Sequence, residues 1–253
     1  MNINEMMRKS LLIHYLKQQN YSAFDLKAVI FDMDGVLYDS MPAHDLSWRE
    51  TMDELGLKYL PNEFYFQEGR LAHDMISDIF QRNLNRGSTP EEVKSVYARK
   101  SEIFRQYNNY EPMPGAYETL KYVQKEGLTP ILVTGSRQAT LLERLAIHFP
   151  GVFTPETMVT AFNVKRGKPH PEPFLKGLEM GGSLQPNQAI VIENAPLGIE
   201  AAVKAGIFTI AVNTGPLDDT VLTDAGASIV FHSMPELTAA MPEILHLART
   251  ITV

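Results

Sequence analysis

Short apolar segments that alternate with helical segments are the feature that most constrains how this chain can fold. The apolar segments carry few polar residues, as expected for strands that are buried on both faces. Strands connected by helices in this way form a mostly parallel sheet with helices on both of its faces. The predicted strands span 27–31, 129–133, 188–192, 208–212 and 228–231, with a weaker strand pattern at 158–162.

Helical patterns occupy the connections of this predicted sheet. In the segment 114–126, Pro114 suits the first helical turn and Gly127 suits the C-terminal cap. A second helical segment, 195–205, is ended by Gly206. The alternation therefore predicts an α/β fold with a Rossmann-like parallel sheet core.

A long helical block interrupts the alternation after the first strand. It has no convincing strand pattern, and a proline-rich turn at 111–115 precedes the return of the strands. Its helices are predicted at 43–56, 72–84 and 90–107. We therefore expect a second, inserted domain, and the chain divides into an N-terminal extension at 1–21, an α/β core at 22–40 and 113–253, and a helical cap at 41–112.

Composition limits the classes of function. The 253 residues carry a formal net charge of −7, which argues against a nucleic-acid partner, because such proteins present a basic surface. The chain has no cysteine, so disulfides and thiolate metal sites are excluded. No apolar run is long enough to span a bilayer, and no signal-peptide cleavage pattern follows the segment 5–19, which is predicted to be a short amphipathic helix or a disordered extension. We expect a cytoplasmic protein without a membrane partner, and its oligomeric state stays open.

Polar residues follow the predicted strands at the point where each strand ends. Ligands of open parallel sheets collect at this edge. Carboxylates bind Mg²⁺, whereas lysine side chains and helix N-termini bind phosphate. Two neighbouring carboxylates repel each other unless a cation, hydrogen-bond donors or a proton offset their charge. The residues concerned are Asp32, Asp34, Thr134, Gly135, Ser136, Lys168, Glu193 and Asn194. This set predicts a site for a phosphate group and a hard cation.

Four sequence motifs now point to a family. The segments DMDGVLYDS, VTGS, GKPHPEPF and VIENAPLGIEAAVKAG, in this order, resemble the motifs of the haloacid dehalogenase-like (HAD) superfamily of phosphotransferases. The helical insert after the first motif resembles the cap of the β-phosphoglucomutase-like subgroup. The resemblance covers roughly residues 25–240.

The resemblance implies a role for each core residue. Asp32 is expected to be the nucleophile that forms an aspartyl-phosphate, and Asp34 the general acid and base, with its backbone carbonyl on Mg²⁺. The alternative is that the pair only caps the turn before Gly35. Thr134 is expected to hydrogen-bond the phosphoryl group, or to cap the following helix, and Lys168 to neutralise phosphate and nucleophile, unless it is a solvated lysine.

The amides around Gly135 and Ser136 are expected to help hold the phosphoryl group. Asn194 departs from the family pattern, which has a Mg²⁺-binding aspartate at this position, and as a plain alternative it would cap the helix that follows. Glu193 is expected to take over some of the metal contact, directly or through water. Glu68 of the cap is expected to reach the metal and replace the lost charge, or else to be a surface glutamate.

The cap residues lead to a substrate prediction. If Glu68 occupies the site, the substrate must be compact, and Arg70, Lys100 and His44 are candidates to bind its second anionic half. The segments EGR, VIENAPLG and IAVNTGPL resemble the inorganic pyrophosphatase branch found in Bacteroides. Pyrophosphate is therefore the leading substrate prediction.

Two other functions stay open at this point. The position of His44 is also that of a cap-hinge histidine in mutases of the subgroup, which leaves a β-phosphoglucomutase or a sugar-phosphate phosphatase as the alternative. A catalytically inactive phosphate-binding protein is the other, with Asn194 as the one feature in its favour.

Overall fold

The computed structural model describes residues 3–136 and 139–253. Residues 1 and 2, within the predicted N-terminal extension, lie outside the described residues. The helices are α1 Ile3–Gln18, α2 Met41–Glu54, α3 Glu63–Phe66, α4 Ala72–Leu84, α5 Pro90–Tyr107, α6 Ala116–Lys125, α7 Ala139–His148, α8 Glu172–Met180, α9 Pro196–Lys204, α10 Asp219–Asp224 and α11 Met234–Thr250. The strands are β1 Ala28–Phe31, β2 Thr129–Val133, β3 Met158–Val159, β4 Ala189–Glu193, β5 Phe208–Val212 and β6 Ile229–Phe231.

Within the described residues, the strands form one parallel sheet in the order β3-β2-β1-β4-β5-β6. The predicted strands agree with it closely, except that β3 covers 158–159 and not 158–162. The reason is local, because the side chain of Asn163 accepts hydrogen bonds from the backbone N–H (2.8 Å) and the hydroxyl (2.9 Å) of Thr160. The amide of Thr160 is thereby turned away from the neighbouring strand.

Both faces of the sheet are buried, as its apolar strands require. Val29 and Phe31 of β1 point into a large apolar cluster with α1, α6 and α11. Ala28 and Ile30 point to the opposite face and pack against α8 and α9. This alternation follows from the two-residue period of a strand. The predicted α/β core with helices on both faces is confirmed.

Helix α1 is the helical alternative that the sequence left open for the N-terminal segment. Leu12 and Leu16 are fully buried against the core, and the ring of Tyr15 stacks on Phe24 at a centroid distance of 5.2 Å. Arg8 forms an ion pair of 2.8 Å with Glu243 of α11. The helix is therefore packed into the core domain rather than detached from it.

Helices α2–α5 form the insert between β1 and α6. They enclose an apolar cluster of their own, which includes Trp48, Met52, Ile79 and Val96. The two chain crossings between core and insert lie side by side, where the backbone N–H of Asp39 donates to the carbonyl of Glu111 at 3.1 Å. We keep 41–112 as the proposed bounds of this cap. None of the helices in the described part of the chain is both long and apolar enough to cross a membrane.

The cap contacts the core through the loop that joins α3 to α4. A Cβ atom at Gly69 would lie 2.6 Å from Cδ of Lys168, and one at Gly135 would lie 3.1 Å from the carbonyl oxygen of Gly69. This loop therefore closes over the carboxyl ends of β1, β2 and β4.

Candidate active site

The centre of the site is a buried ion pair between residues far apart in sequence. Asp32 follows β1, and Lys168 lies in the loop before α8. The ammonium of Lys168 donates to Oδ1 of Asp32 and, at 2.5 Å, to Oε1 of Glu193. Burial opposes the charge on Lys168, but the two carboxylates raise its pKa above the ordinary value. The structure thus brings Lys168 to the predicted nucleophile, and a solvated lysine is excluded.

Carboxylates outnumber cations around this pair. Burial raises the pKa of Asp32 to about 8; Lys168 lowers it in part, whereas Glu193 and Asp34 raise it further. Burial, again with help from the neighbouring carboxylates, raises the pKa of Glu68 well above its ordinary value. A site with this excess of negative charge is suited to a cation.

Glu193 has a structural role that the sequence did not predict. Its Oε2 accepts hydrogen bonds from the backbone N–H groups of Asn194 (2.7 Å) and Ala195 (2.8 Å), and its Oε1 is bonded to Lys168. Helix α9 begins at Pro196 with Ala195 as its N-cap, so the predicted cap at Asn194 is wrong. With both oxygens bonded to protein groups, Glu193 is poorly placed for direct metal coordination.

The side chain of Asn194 is therefore free to face the site. Its Nδ2 donates to Oε2 of Glu68 at 2.9 Å, which brings the predicted cap glutamate into the site. Oε1 of Glu68 and Oδ1 of Asn194 are both buried and have no hydrogen-bond partner within residues 3–136 and 139–253. Among the described residues, no three His, Cys, Asp or Glu side chains form a ready-made metal cluster. The two unpartnered oxygens, with Asp32 beside Glu68, nevertheless offer the all-oxygen donors that Mg²⁺ prefers.

Asp34 is held by a chain of hydrogen bonds that reaches the cap. Its Oδ1 accepts from the hydroxyl of Ser40 at 2.6 Å and lies 3.3 Å from Nε2 of His44. Nδ1 of His44 lies 2.6 Å from Nζ of Lys100. Because an ammonium can only donate, we assign the His44 proton to Nε2, where it faces Asp34.

Burial sets the electrostatics of this chain. It lowers the pKa of Lys100 to about 7, although Asp34 acts in the opposite direction. Burial and then Lys100 lower the pKa of His44. Burial would raise the pKa of Asp34, but His44 and the hydrogen bonds from His44 and Ser40 hold it below the ordinary value. The predicted cap residues His44 and Lys100 are thus in the site, and the link from Lys100 through His44 to Asp34 was not predicted.

The segment after β2 turns tightly beneath the cap loop. Oγ1 of Thr134 accepts from the backbone N–H of Ser136 at 3.0 Å. Gly135 and Ser136, which follow Thr134, are not helical, so Thr134 is not the N-cap of α7. Gly135 and Ser136 line the same cavity as Asp32 and Asp34. This places the predicted phosphoryl-binding amides beside the predicted nucleophile.

Arg70 is less available than the sequence suggested. Its guanidinium donates to Oε1 of Gln67 at 2.9 Å and to Oδ2 of Asp78 at 2.7 Å. It lines the cavity, but these acceptors already hold two of its nitrogens. A substrate contact of Arg70 stays a prediction that would require these bonds to change.

The motifs and their geometry agree with a match to a known family. The model of the haloacid dehalogenase-like hydrolases matches residues 26–206. The chain belongs to the haloacid dehalogenase-like hydrolases. The motif resemblance is confirmed, and the fold of the HAD core accounts for the assembly of Asp32, Lys168 and Asn194 at one edge of the sheet.

Similar proteins refine the comparison. The chain is 32% identical to hexitol phosphatase A of Escherichia coli over 84% of this chain and 93% of that protein. It is 29% identical to β-phosphoglucomutase of Bacillus subtilis over 87% and 94%. A solved structure of a candidate β-phosphoglucomutase from Bacteroides vulgatus is 48% identical, with a TM-score of 0.93, over 97% of this chain and all of that one. None of these names mentions pyrophosphate, so the relatives favour the phosphorylated-carbohydrate alternative over the leading substrate prediction.

Proposed function

We propose that this protein is a Mg²⁺-dependent phosphohydrolase that transfers the phosphoryl group of a small phosphorylated carbohydrate to Asp32 and then to water. The observation that carries the proposal is the buried Asp32–Lys168 ion pair. It lies at one end of a cavity of about 560 Å³ that continues between core and cap. An inactive phosphate-binding protein is less consistent with a site in which all four predicted catalytic residues, Asp32, Asp34, Thr134 and Lys168, are present and buried.

The chemistry follows from the positions of the side chains. A carboxylate oxygen of Asp32 attacks phosphorus, the bond to the leaving oxygen breaks, and an aspartyl-phosphate forms. Lys168 stabilises the negative charge that gathers on the phosphoryl oxygens. The amides near Gly135 and Ser136 would hold the same oxygens.

Asp34 would carry the proton in both half-reactions. A bound phosphoryl dianion raises the pKa of a neighbouring carboxyl, which lets Asp34 hold a proton despite its low pKa in the free protein. It gives that proton to the leaving oxygen and later takes one from the water that attacks the aspartyl-phosphate. The Lys100–His44 chain keeps Asp34 oriented for both transfers.

The metal site would use two side-chain oxygens that no other described residue hydrogen-bonds. Oε1 of Glu68 and Oδ1 of Asn194 would hold Mg²⁺ together with Asp32 and the backbone carbonyl of Asp34. Bound there, Mg²⁺ supplies positive charge to the phosphoryl oxygens and offsets the repulsion among the carboxylates.

The substrate class rests on relatives and on space. Hexitol phosphatase A of Escherichia coli and a phosphorylated-carbohydrate phosphatase of Thermotoga maritima, which is 30% identical over 87% of this chain, are named for phosphorylated carbohydrates or polyols. Pyrophosphate is the second candidate. The contact between Glu68 and Asn194 favours it, because a carboxylate from the cap at the metal restricts the room beside the phosphoryl group.

The test is phosphate release with Mg²⁺ from hexose and hexitol phosphates and from pyrophosphate. We expect the carbohydrate phosphates to give the higher kcat/KM, and a clear preference for pyrophosphate would select the second candidate. Asp32→Asn should abolish turnover and acyl-phosphate trapping. If Asp32→Asn still hydrolysed any of these substrates, Asp32 would not be the nucleophile.

Glu68 has its own test. Glu68→Ala should weaken Mg²⁺ binding and turnover together, and Glu68→Gln, which keeps an oxygen donor but loses the charge, should lie between Ala and the wild type. Glu91→Ala, at an exposed glutamate of α5, is the matched control. Isothermal titration with Mg²⁺ alone measures the affinity, and an unchanged affinity in Glu68→Ala would remove Glu68 from the metal site.

A further inference from the structure

The cavity at the catalytic site has two chemically different parts. One end, at Asp32 and Asp34, is polar. The rest extends inside the cap along α4 and α5, where its walls are mostly apolar side chains: Met41, Trp48, Phe64, Met75, Val93 and Ala98. We call this part the cap groove. It is continuous with the catalytic end, so a group that is joined to the phosphoryl group has room to extend into it.

Two of the polar side chains that line the cavity are already engaged with protein groups. Both ring nitrogens of His44 have partners, and the guanidinium of Arg70 is held by Gln67 and Asp78. Hydroxyl groups of a ligand that face the apolar side chains of the groove would lose their hydrogen bonds to water, and unpaired buried hydroxyls cost free energy. The middle of the groove therefore favours an apolar surface.

Lysines mark the two ends of the groove. Lys100 lies at the catalytic end and is buried, whereas Lys94 lines the groove further along α5 and is exposed. Six residues of helix separate them, which corresponds to a length of about 9 Å. A leaving group of this length would bridge the buried and the exposed end.

We infer that the leaving group of the substrate lies in the cap groove and presents an apolar face or a short alkyl chain to α4 and α5. This inference rests on the proposed function and narrows its substrate class to phosphate monoesters whose alcohol has an apolar side next to the ester oxygen. A fully hydroxylated ring would fit less well than a deoxygenated one. Pyrophosphate would leave the groove unfilled.

The test uses non-hydrolysable ligands, so it does not depend on turnover. Ethyl-, butyl- and hexylphosphonate are titrated into the wild-type protein with Mg²⁺, and the dissociation constants are measured by calorimetry. Burial of each additional methylene should tighten binding by about fourfold until the chain reaches the exposed end. Equal affinities across the series would overturn the inference.

A variant locates the binding. Ala98→Leu adds bulk to the wall of the groove and keeps a good helix former, so the cap should fold normally. It should weaken hexylphosphonate at least tenfold more than ethylphosphonate. Ala146→Leu, at an exposed position of α7 outside the cavity, is the matched control and should leave both affinities as in the wild type. Parallel losses for both ligands in Ala98→Leu would also overturn the inference.

The outcome is separable from that of the proposed function. Acetyl phosphate is too short to reach the groove, so trapping of phosphorylated Asp32 with this donor tests the chemistry alone. Trapping together with a flat phosphonate series would refute the groove and keep the phosphohydrolase. A graded series without trapping would keep the groove and refute the nucleophile.

Discussion

Replacing Lys100 with methionine should make the ligand-free protein more stable. The lysine is 1% exposed, and its ammonium lies 5.3 Å from the ring centroid of Trp48 and 4.6 Å from that of Phe104. Its ammonium is hydrogen-bonded to Nδ1 of His44 at 2.6 Å. Such a charge is stable in water and costly in an apolar setting, whereas methionine fills a similar volume without charge.

The magnitude follows from the pKa of Lys100. Burial lowers it from 10.5 to about 7. A fall of this size corresponds to roughly 5 kcal/mol of lost stability while the lysine is charged. Losing the hydrogen bond to His44 costs about 1–2 kcal/mol, so we expect Lys100→Met to raise the free energy of unfolding by about 3 kcal/mol at pH 6.5.

The sign of the pH dependence is part of the prediction. Because the folded-state pKa of Lys100 lies below that of the unfolded state, the unfolded protein binds more protons between pH 7 and 10.5. The stability of the wild type therefore rises across this window relative to the variant, and the advantage of Lys100→Met should approach zero by pH 9.5. Above the unfolded-state pKa the lysine is neutral in both states.

Urea unfolding at pH 6.5 and pH 9.5 measures both the gain in the free energy of unfolding and its dependence on pH. Circular dichroism follows the whole chain, and the fluorescence of Trp48, the single tryptophan, follows the cap. Lys94→Met, at an exposed lysine of the same helix, is the control and should change stability by less than about 0.5 kcal/mol. Equal or lower stability of Lys100→Met at both pH values would refute the reasoning.

Three further predictions concern the catalytic end. Lys168→Met should lower the free energy of unfolding by about 3–5 kcal/mol, because Asp32 and Glu193 lose their buried cation. Urea unfolding measures this change, and an unchanged stability would contradict the ion pairs of Lys168 with the two carboxylates. Gly35→Ala should weaken Mg²⁺ binding, because φ at this position is +78° and the new Cβ atom would lie 2.2 Å from Nδ2 of Asn194. Calorimetry measures the Mg²⁺ affinity, and an unchanged affinity would contradict this prediction. Mg²⁺ binding at pH 7 should release at least one proton, because the pKa of Asp32 is about 8 in the metal-free protein and the pKa of Glu68 is also raised. Calorimetry in buffers of different ionisation enthalpy detects the release, and a buffer-independent heat would contradict it.

The sequence predicts the core well because its signals are local. Apolar strands that end in acidic or hydroxyl residues locate both the sheet and the edge that carries Asp32 and Thr134. The edge strand β3 was predicted too long, since the side chain of Asn163 captures the amide of Thr160. Such a turn competes with sheet pairing and leaves no mark in the apolar pattern.

The contacts between side chains could not be predicted in the same way. The prediction of an N-cap at Asn194 is wrong because the side chain of Glu193 turns back and accepts hydrogen bonds from the backbone amides of Asn194 and Ala195. This geometry requires glycine at position 198, because a Cβ atom there would lie 1.6 Å from Oε1 of Glu193. A glutamate followed five residues later by a glycine is too common a pattern to predict that the glutamate side chain bonds the amides after it. The pairing of Arg70 with Asp78 likewise depends on how α4 packs.

Three glycines meet where the cap touches the core. Beside the contacts of Gly69 and Gly135, a Cβ at Gly167 would lie 3.0 Å from Cγ of Leu71. A side chain at any of these three positions would crowd the opposite surface, so the cap loop can approach the carboxyl ends of the strands this closely only with glycine there. Because this contact involves none of the side chains of α4 and α5 that line the cavity, we expect residues of these helices to be exchangeable for new substrates without opening the contact between cap and core.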